Sequence, residues 1–216
     1  MSDQIKKLSQ LGKAMGKHMT ASWEAPQFQL ETEVDCARLI EYRNTLDFKP
    51  SFTTIIAKAV ADTLKKFPQI NASWGGDCIV LHDDINIGIA ADTGRGLLVP
   101  VIKDAENKSI AEMHEAMEHI KSKSERGNFS IEDMSGGTFT ISNLGIFNIT
   151  SFKAIVNAPE AGILAVSKMT DTPVVRNGQI VPAKIMRLNL SLDHRVTDGA
   201  TGARFLTELA TVLESL

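Results

Sequence analysis

The chain has 216 residues, 43% of them hydrophobic, enough apolar content to bury a core without disulfides or metals. A net charge of −3 without a basic run interleaved with aromatics excludes the electrostatic footprint of a nucleic-acid binder. No apolar stretch reaches the length of a membrane span and the N-terminus has no apolar signal region, so a cytoplasmic protein with no membrane partner is expected.

In chain order, Ile5, Leu8, Leu11, Met15 and Met19 recur at helical spacing opposite Lys6, Lys7, Lys13 and Lys17, predicting an amphipathic helix that ends near Pro26. Phe28, Leu30, Thr32 and Val34 alternate as a strand, and Asp35 is placed to cap a short helix from Cys36 to Asn44. Ser51 caps the next helix, which Pro68 stops. After a Gly75-Gly76 turn, strands are predicted at Cys78 to Leu81, Asp84 to Ala91 and Leu97 to Ile102. Two glycines in Asp92-Thr-Gly-Arg-Gly96 suit a tight turn better than a phosphate cradle, because no helix follows to supply an N-terminal dipole.

Ser109-Ile-Ala-Glu112 is a capping box that opens a helix closed by Gly127. After a turn at Ser130 to Met134, Gly137 to Gly145 reads as a strand breaking into a polar loop, and Ile163 to Val166 as a short buried strand. Val174 to Val181 is a hairpin whose Asn177-Gly178 suits a type I′ turn. Met186, Leu188, Leu190 and Leu192 alternate along the last strand, and a final helix opens at Gly199. No linker, repeat or composition break divides residues 1–216, so one domain is expected, an α/β (α+β) sandwich with a mixed central sheet and flanking helices. Cys36 and Cys78 stand far apart and read as buried packing. His114 and His119, five apart on a predicted helix, point in different directions and read as surface residues, and no metal site is expected.

The last strand delivers His194 to its end, and Asp198 and Gly199 follow as N-cap and start of the final helix. A helix N-terminus beside an imidazole disfavours the charged ring, and a general base must be neutral. Asp198 has a structural reading of its own, as the cap that holds the turn rigid. No serine or cysteine lies close enough in sequence to be the nucleophile of His194, which leaves a substrate as the source of the proton.

Asp193-His-Arg-Val-Thr-Asp-Gly199 resembles the His-x-x-x-Asp-Gly signature shared by chloramphenicol acetyltransferase and the catalytic domain of the dihydrolipoamide acyltransferases of 2-oxo acid dehydrogenase complexes. The second resemblance extends over nearly the whole chain, through residues 66–73, 87–100, 137–145 and 156–160. It implies acyl transfer between dihydrolipoamide and coenzyme A in a ternary complex, His194 taking the proton of the attacking thiol and Ser142 donating a hydrogen bond to the oxyanion. A thiol of pKa about 8.5 facing an imidazole of about 6.5 makes complete proton transfer uphill by about 2.7 kcal/mol, so removal concerted with attack is favoured. The family's histidine and hydroxyl meet across a subunit boundary, so the resemblance also implies a homotrimer.

Two departures stand out. Gly12 and Lys13 occupy the place of the family's usual arginine in the first helix, and Asn148 that of a glycine, a conformation that Asn tolerates. No lipoyl or partner-binding domain accompanies the catalytic domain, so the lipoyl group is expected from another domain or chain, with dehydrogenase-complex components as partners. The chain stops at Leu216, short of the apolar tail of large cores, so a trimer that assembles no further is expected. Residues 156–160 favour an acetyl group. The alternatives are a chloramphenicol-type acetyltransferase acting on a hydroxyl or amine, and a non-catalytic trimeric scaffold.

Overall fold

A single hairpin forms the backbone of the molecule. In the computed structural model, which describes residues 3–94 and 96–216, strands Gly162–Arg176 and Gln179–Asp193 pair antiparallel around Asn177 and Gly178. Both turn residues have positive φ, 51° and 77°, as a type I′ turn demands. The short strand expected at Ile163 to Val166 is therefore the start of a 15-residue strand continuous with the hairpin. Pro173 and Pro182 obscured this continuity, yet they face each other beyond Ile185, where pairing with the first strand ends. Neither has to donate to a third strand there.

The helices are α1 Gln10–Trp23, α2 Ala37–Thr45, α3 Phe52–Leu64, α4 Ile110–Arg126 and α5 Gly199–Glu214. The strands are β1 Gln27–Asp35, β2 Ala72–Trp74, β3 Ile79–Leu81, β4 Ile87–Ile89, β5 Ala91–Thr93, β6 Gly96–Leu98, β7 Val101–Ile102, β8 Phe139–Asn143, and the hairpin strands β9 and β10. The main sheet runs β1-β10-β9-β8-β4-β7, with β8 parallel to both its neighbours and the other pairs antiparallel. It is a mixed sheet, as expected.

Its two faces differ. Leu188, Leu190 and Leu192 of β10, Leu164 and Val166 of β9, and Phe139 and Ile141 of β8 join the core residues of α3 and α5 in one buried cluster. The alternate positions, Asn189, Ser191 and Asp193 of β10 and Thr140 and Ser142 of β8, give the opposite face polar character. α5 lies so close to the sheet that a Cβ on Gly202 would sit 2.5 Å from Leu192 Cδ1 and 2.9 Å from Leu30 Cδ1.

Several local expectations are corrected. α1 begins at Gln10, capped by Ser9, so Ile5 and Leu8 of the predicted amphipathic stripe precede it, and within the helix the stripe is open: Leu11 is 39% and Met15 41% exposed. Periodicity reports an apolar face but not whether the same chain covers it. The strand at Asp84 to Ala91 shortens to β4, while the segment at Leu97 to Ile102 divides into β6 and β7 on either side of Pro100. The Asp92 to Gly96 segment turns between β5 and β6, with Arg95 outside the described residues. Cys36 is buried, but Cys78 is exposed in the β2–β3 connection. His119 is exposed, whereas His114 is half-buried, stacked on Phe48 at 5.3 Å, because α4 turns that face toward the α2–α3 connection. The capping box at Ser109 and Glu112 is formed in both directions, and Asn148 adopts the left-handed conformation at φ 63°.

Candidate active site

Each side of the candidate site begins at the end of a strand. At the C-terminal end of β10, Asp193 pairs with Gln27 of β1, and the next residue, His194, donates its backbone N–H to Pro26 O at 2.9 Å. The His194 side chain is exposed and its ring meets Phe28 with centroids 4.5 Å apart and planes at 48°. The chain then turns tightly, since the N–H groups of Val196 and Thr197 both return to Asp193 O. Asp198 closes the turn: its Oδ1 accepts the N–H of Thr201 at 2.7 Å and caps α5. Hydrogen bonds from the Thr201 N–H and hydroxyl hold the Asp198 carboxyl below its ordinary pKa. The capping role read from the sequence is the role observed.

His194 stands between two residues that grip each other. Arg195 Nε lies 3.0 Å from Asp193 Oδ1 and its Nη2 2.6 Å from Oδ2, a bidentate pair. The hydrogen bonds to Asp193 push the Arg195 guanidinium further above its already high pKa. A cavity of about 300 Å³ opens beside His194, lined by Gln69, Ile79, Val196, Thr197, Asp198 and Thr201 among others.

Ser142 lies elsewhere. It is half-buried on β8, in register with Ala165 of β9, which is in turn opposite Asn189 of β10. Its hydroxyl has no hydrogen-bond partner among the described residues. His194 is two strands across from Ser142 and five residues further along, about 10 Å by about 17 Å, so the two are roughly 20 Å apart within one chain. Because β10 runs antiparallel to β8, the two residues sit at opposite ends of the sheet. Within a protomer the structure does not bring together the residues that the sequence reading paired.

A second cavity, of about 530 Å³, opens at the Ser142 end between α3, the end of β8 and the middle of β9. Ile56, Val166 and Met186 give it an apolar bed. Arg43, whose guanidinium lies over Phe52 at 5.1 Å, and Lys168 bring positive charge to it. As for metals, Asp84, Asp104 and Glu106 bring carboxylate oxygens within 4.8 Å of one another, though Glu106 Oε2 already accepts the Ile85 N–H. Among the described residues, no helix is long and apolar enough to cross a membrane.

With this geometry in place, the family model of the 2-oxoacid dehydrogenases acyltransferase catalytic domain matches residues 2–216. The chain belongs to that family. Among the relatives of this acyltransferase-family domain, the lipoamide acyltransferase component of the branched-chain alpha-keto acid dehydrogenase complex of Bacillus subtilis is 40% identical over 214 residues, covering 94% of the chain and 50% of that protein. The chain spans about half the length of the curated relatives it matches. A solved Azotobacter vinelandii dihydrolipoamide acetyltransferase superposes with a TM-score of 0.93 at 31% identity, over 99% of this chain and 92% of that one. Its structure belongs to an investigation of a serine, a histidine and an asparagine in the catalytic mechanism of that enzyme. A chloramphenicol acetyltransferase, at 15% identity and a TM-score of 0.64 over 91% of this chain and 94% of its own, shares the fold. The expected chloramphenicol acetyltransferase-like architecture is thus the one observed.

Two aromatic residues around the His194 turn escaped the sequence reading, one against His194 and one against Arg195. Phe28 sits inside a strand that read as ordinary core alternation, and Trp74, over Arg195, lies on β2, which no periodicity announced. Three residues are too few for a period to register.

Proposed function

We propose that this domain transfers an acyl group, acetyl first among them, between dihydrolipoamide and coenzyme A in a cytosolic 2-oxo acid dehydrogenase complex. The lipoyl group comes from another domain or chain. The domain works as a homotrimer in which His194 of one protomer faces Ser142 of the next. The observation that carries this reading is the roughly 20 Å separation of the two residues at opposite ends of one sheet. Such a pair meets only when the histidine end of one protomer abuts the serine end of another. The Azotobacter enzyme supports it: its serine precedes its histidine by the interval that separates Ser142 from His194, and its asparagine stands at the spacing of Asp198.

In this reading His194 removes the thiol proton as sulfur attacks the thioester carbonyl, and Ser142 donates a hydrogen bond to the oxyanion. Collapse of the intermediate expels the second sulfur, which takes the proton back from the imidazolium. Asp198 contributes by fixing the turn, since both its carboxylate and the helix it caps lie just beyond His194. The 530 Å³ cavity suits the nucleotide end of coenzyme A, with an apolar bed for the base and Arg43 and Lys168 for phosphates.

Transfer of acetyl from acetyl-CoA to free dihydrolipoamide tests the proposal. His194→Ala should lower kcat by about 10²–10⁴-fold. If the parent shows no transfer above that variant, the scaffold reading replaces the enzyme. Preferential acetylation of a hydroxyl or amine acceptor would instead favour the chloramphenicol-type reading, and an isobutyryl-CoA arm compares the acyl chains.

A further inference from the structure

The ring of Trp74 lies against Arg195 and Val196 of the His194 turn without taking part in the chemistry above. Trp74 belongs to β2, and its backbone N–H is fixed to Pro159 O at 3.1 Å. Its ring packs on Ala72, Ala161 and Val196, a small apolar cluster separate from the main core. The Arg195 guanidinium lies over that ring, 4.9 Å from its centroid. The same guanidinium grips the carboxylate of Asp193, a side chain only 3% exposed although that of Arg195 is 33% exposed.

An ion pair exposed on one partner is normally weakened by water. Here the guanidinium lies over the aromatic face while its Nε and Nη2 reach the carboxylate, so the cation is held from two directions. We infer that Trp74 is a positioning residue for His194: it clamps Arg195 onto Asp193, and the closed Asp193–Arg195 pair fixes the backbone from which the imidazole projects. The chain between the two gripping residues is His194 alone, so slack in the grip becomes rotation of the imidazole. The effect of the ring on His194 is transmitted through Arg195.

The inference rests on the reading of His194 as the base, and the tests separate the two. Acetyl transfer is measured with Trp74→Leu, Trp74→Phe, Arg195→Met, the Trp74→Leu/Arg195→Met double variant and His194→Ala, each checked as a folded trimer by circular dichroism and light scattering. Trp74→Leu should lower kcat about 10-fold with the KM for coenzyme A unchanged, the response to a displaced catalytic group. Trp74→Phe, which restores an aromatic face, should recover most of the loss. The double variant should be no slower than Arg195→Met alone, because both remove one grip. Multiplicative losses, a change confined to KM, or equal rates for the leucine and phenylalanine variants would overturn the role of Trp74 while leaving His194 as base. Should Trp74→Leu not assemble, Trp74→Met is read by the same criteria. Unchanged transfer in His194→Ala would instead overturn the base reading itself.

Discussion

Mixing two inactive variants tests the proposed division of the site most directly. Ser142→Ala removes the oxyanion donor and His194→Ala the base; loss of one such donor typically costs 10²–10³-fold in kcat. If both residues served the same chain, every protomer in a mixed trimer would carry one lesion and no activity would return. In the proposed site the roughly 20 Å between them rules out pairing within one chain and implies a heterologous contact repeated around a trimer. A productive boundary then needs an intact serine from a His194→Ala protomer and an intact histidine from a Ser142→Ala protomer. In a random equimolar trimer about one boundary in four qualifies, so kcat should recover to about a quarter of the parent value. Co-expression with two different tags, sequential affinity purification and the acetyl-transfer assay measure it. A mixture no more active than the mean of its two homotrimers would refute the shared site.

Two further predictions concern the frame. Glu160 is buried beneath Thr140 and Asn157, and burial raises its pKa from 4.5 to about 7. The folded state then holds this proton longer than the unfolded chain, so the contribution of Glu160 is full below about 4.5 and declines as pH rises to about 7. Relative to Glu160→Gln, the parent should therefore lose up to about 3 kcal/mol of stability across that window, measured by urea denaturation; a constant difference between the two proteins would contradict the assignment. Gly202→Ala gains about 1 kcal/mol of helix propensity but places a methyl 2.5 Å from Leu192 Cδ1 against a filled core. Overpacking at about 1–3 kcal/mol should prevail, leaving a net destabilisation of up to about 2 kcal/mol, and a gain in the same denaturation assay would show that α5 has room to move.

The parts of the fold that could be read from sequence are those with local causes. Ser109 and Glu112 specify their helix start through one turn of chain, and Asn177-Gly178 specify a turn through their own φ angles. Leu188 to Leu192 announced a strand because apolar and polar residues alternate along it, the leucines packing on the helices; that Asn189 and Ser191 on the other face are buried as well depends on neighbouring segments. What escaped depends on distant partners. The stripe of α1 is amphipathic whether or not the chain covers it, and β2 is strand only because β3 pairs with it. His114 was read as solvated from its spacing, but Phe48, more than sixty residues earlier, covers it. At the site, the chain itself placed His194 at a strand end and Asp198 as a cap; the pairing with Ser142 came from family resemblance, since no local pattern joins residues on separate strands.

The direction of the strands also explains why so much of the support for His194 is local. Since β8 is parallel to β9 and β10 antiparallel to it, residues near the C-terminal ends of β8 and β10 must lie at opposite rims of the sheet, whatever their side chains. A mechanism needing both rims can be completed only by assembly, and neither protomer can rely on the other to orient its group before they meet. The histidine rim answers that demand with its own groups: Pro26 fixes the backbone, Phe28 backs the ring, Asp193 and Arg195 close on either side, and Asp198 stops the turn. The serine rim is held less closely, with a half-buried hydroxyl that makes no internal hydrogen bond among the described residues. That asymmetry fits the proposed division of labour. A base must be aimed before it can take a proton, whereas a hydroxyl donor needs only a strand to hold its oxygen and freedom to turn its hydrogen toward the charge that develops.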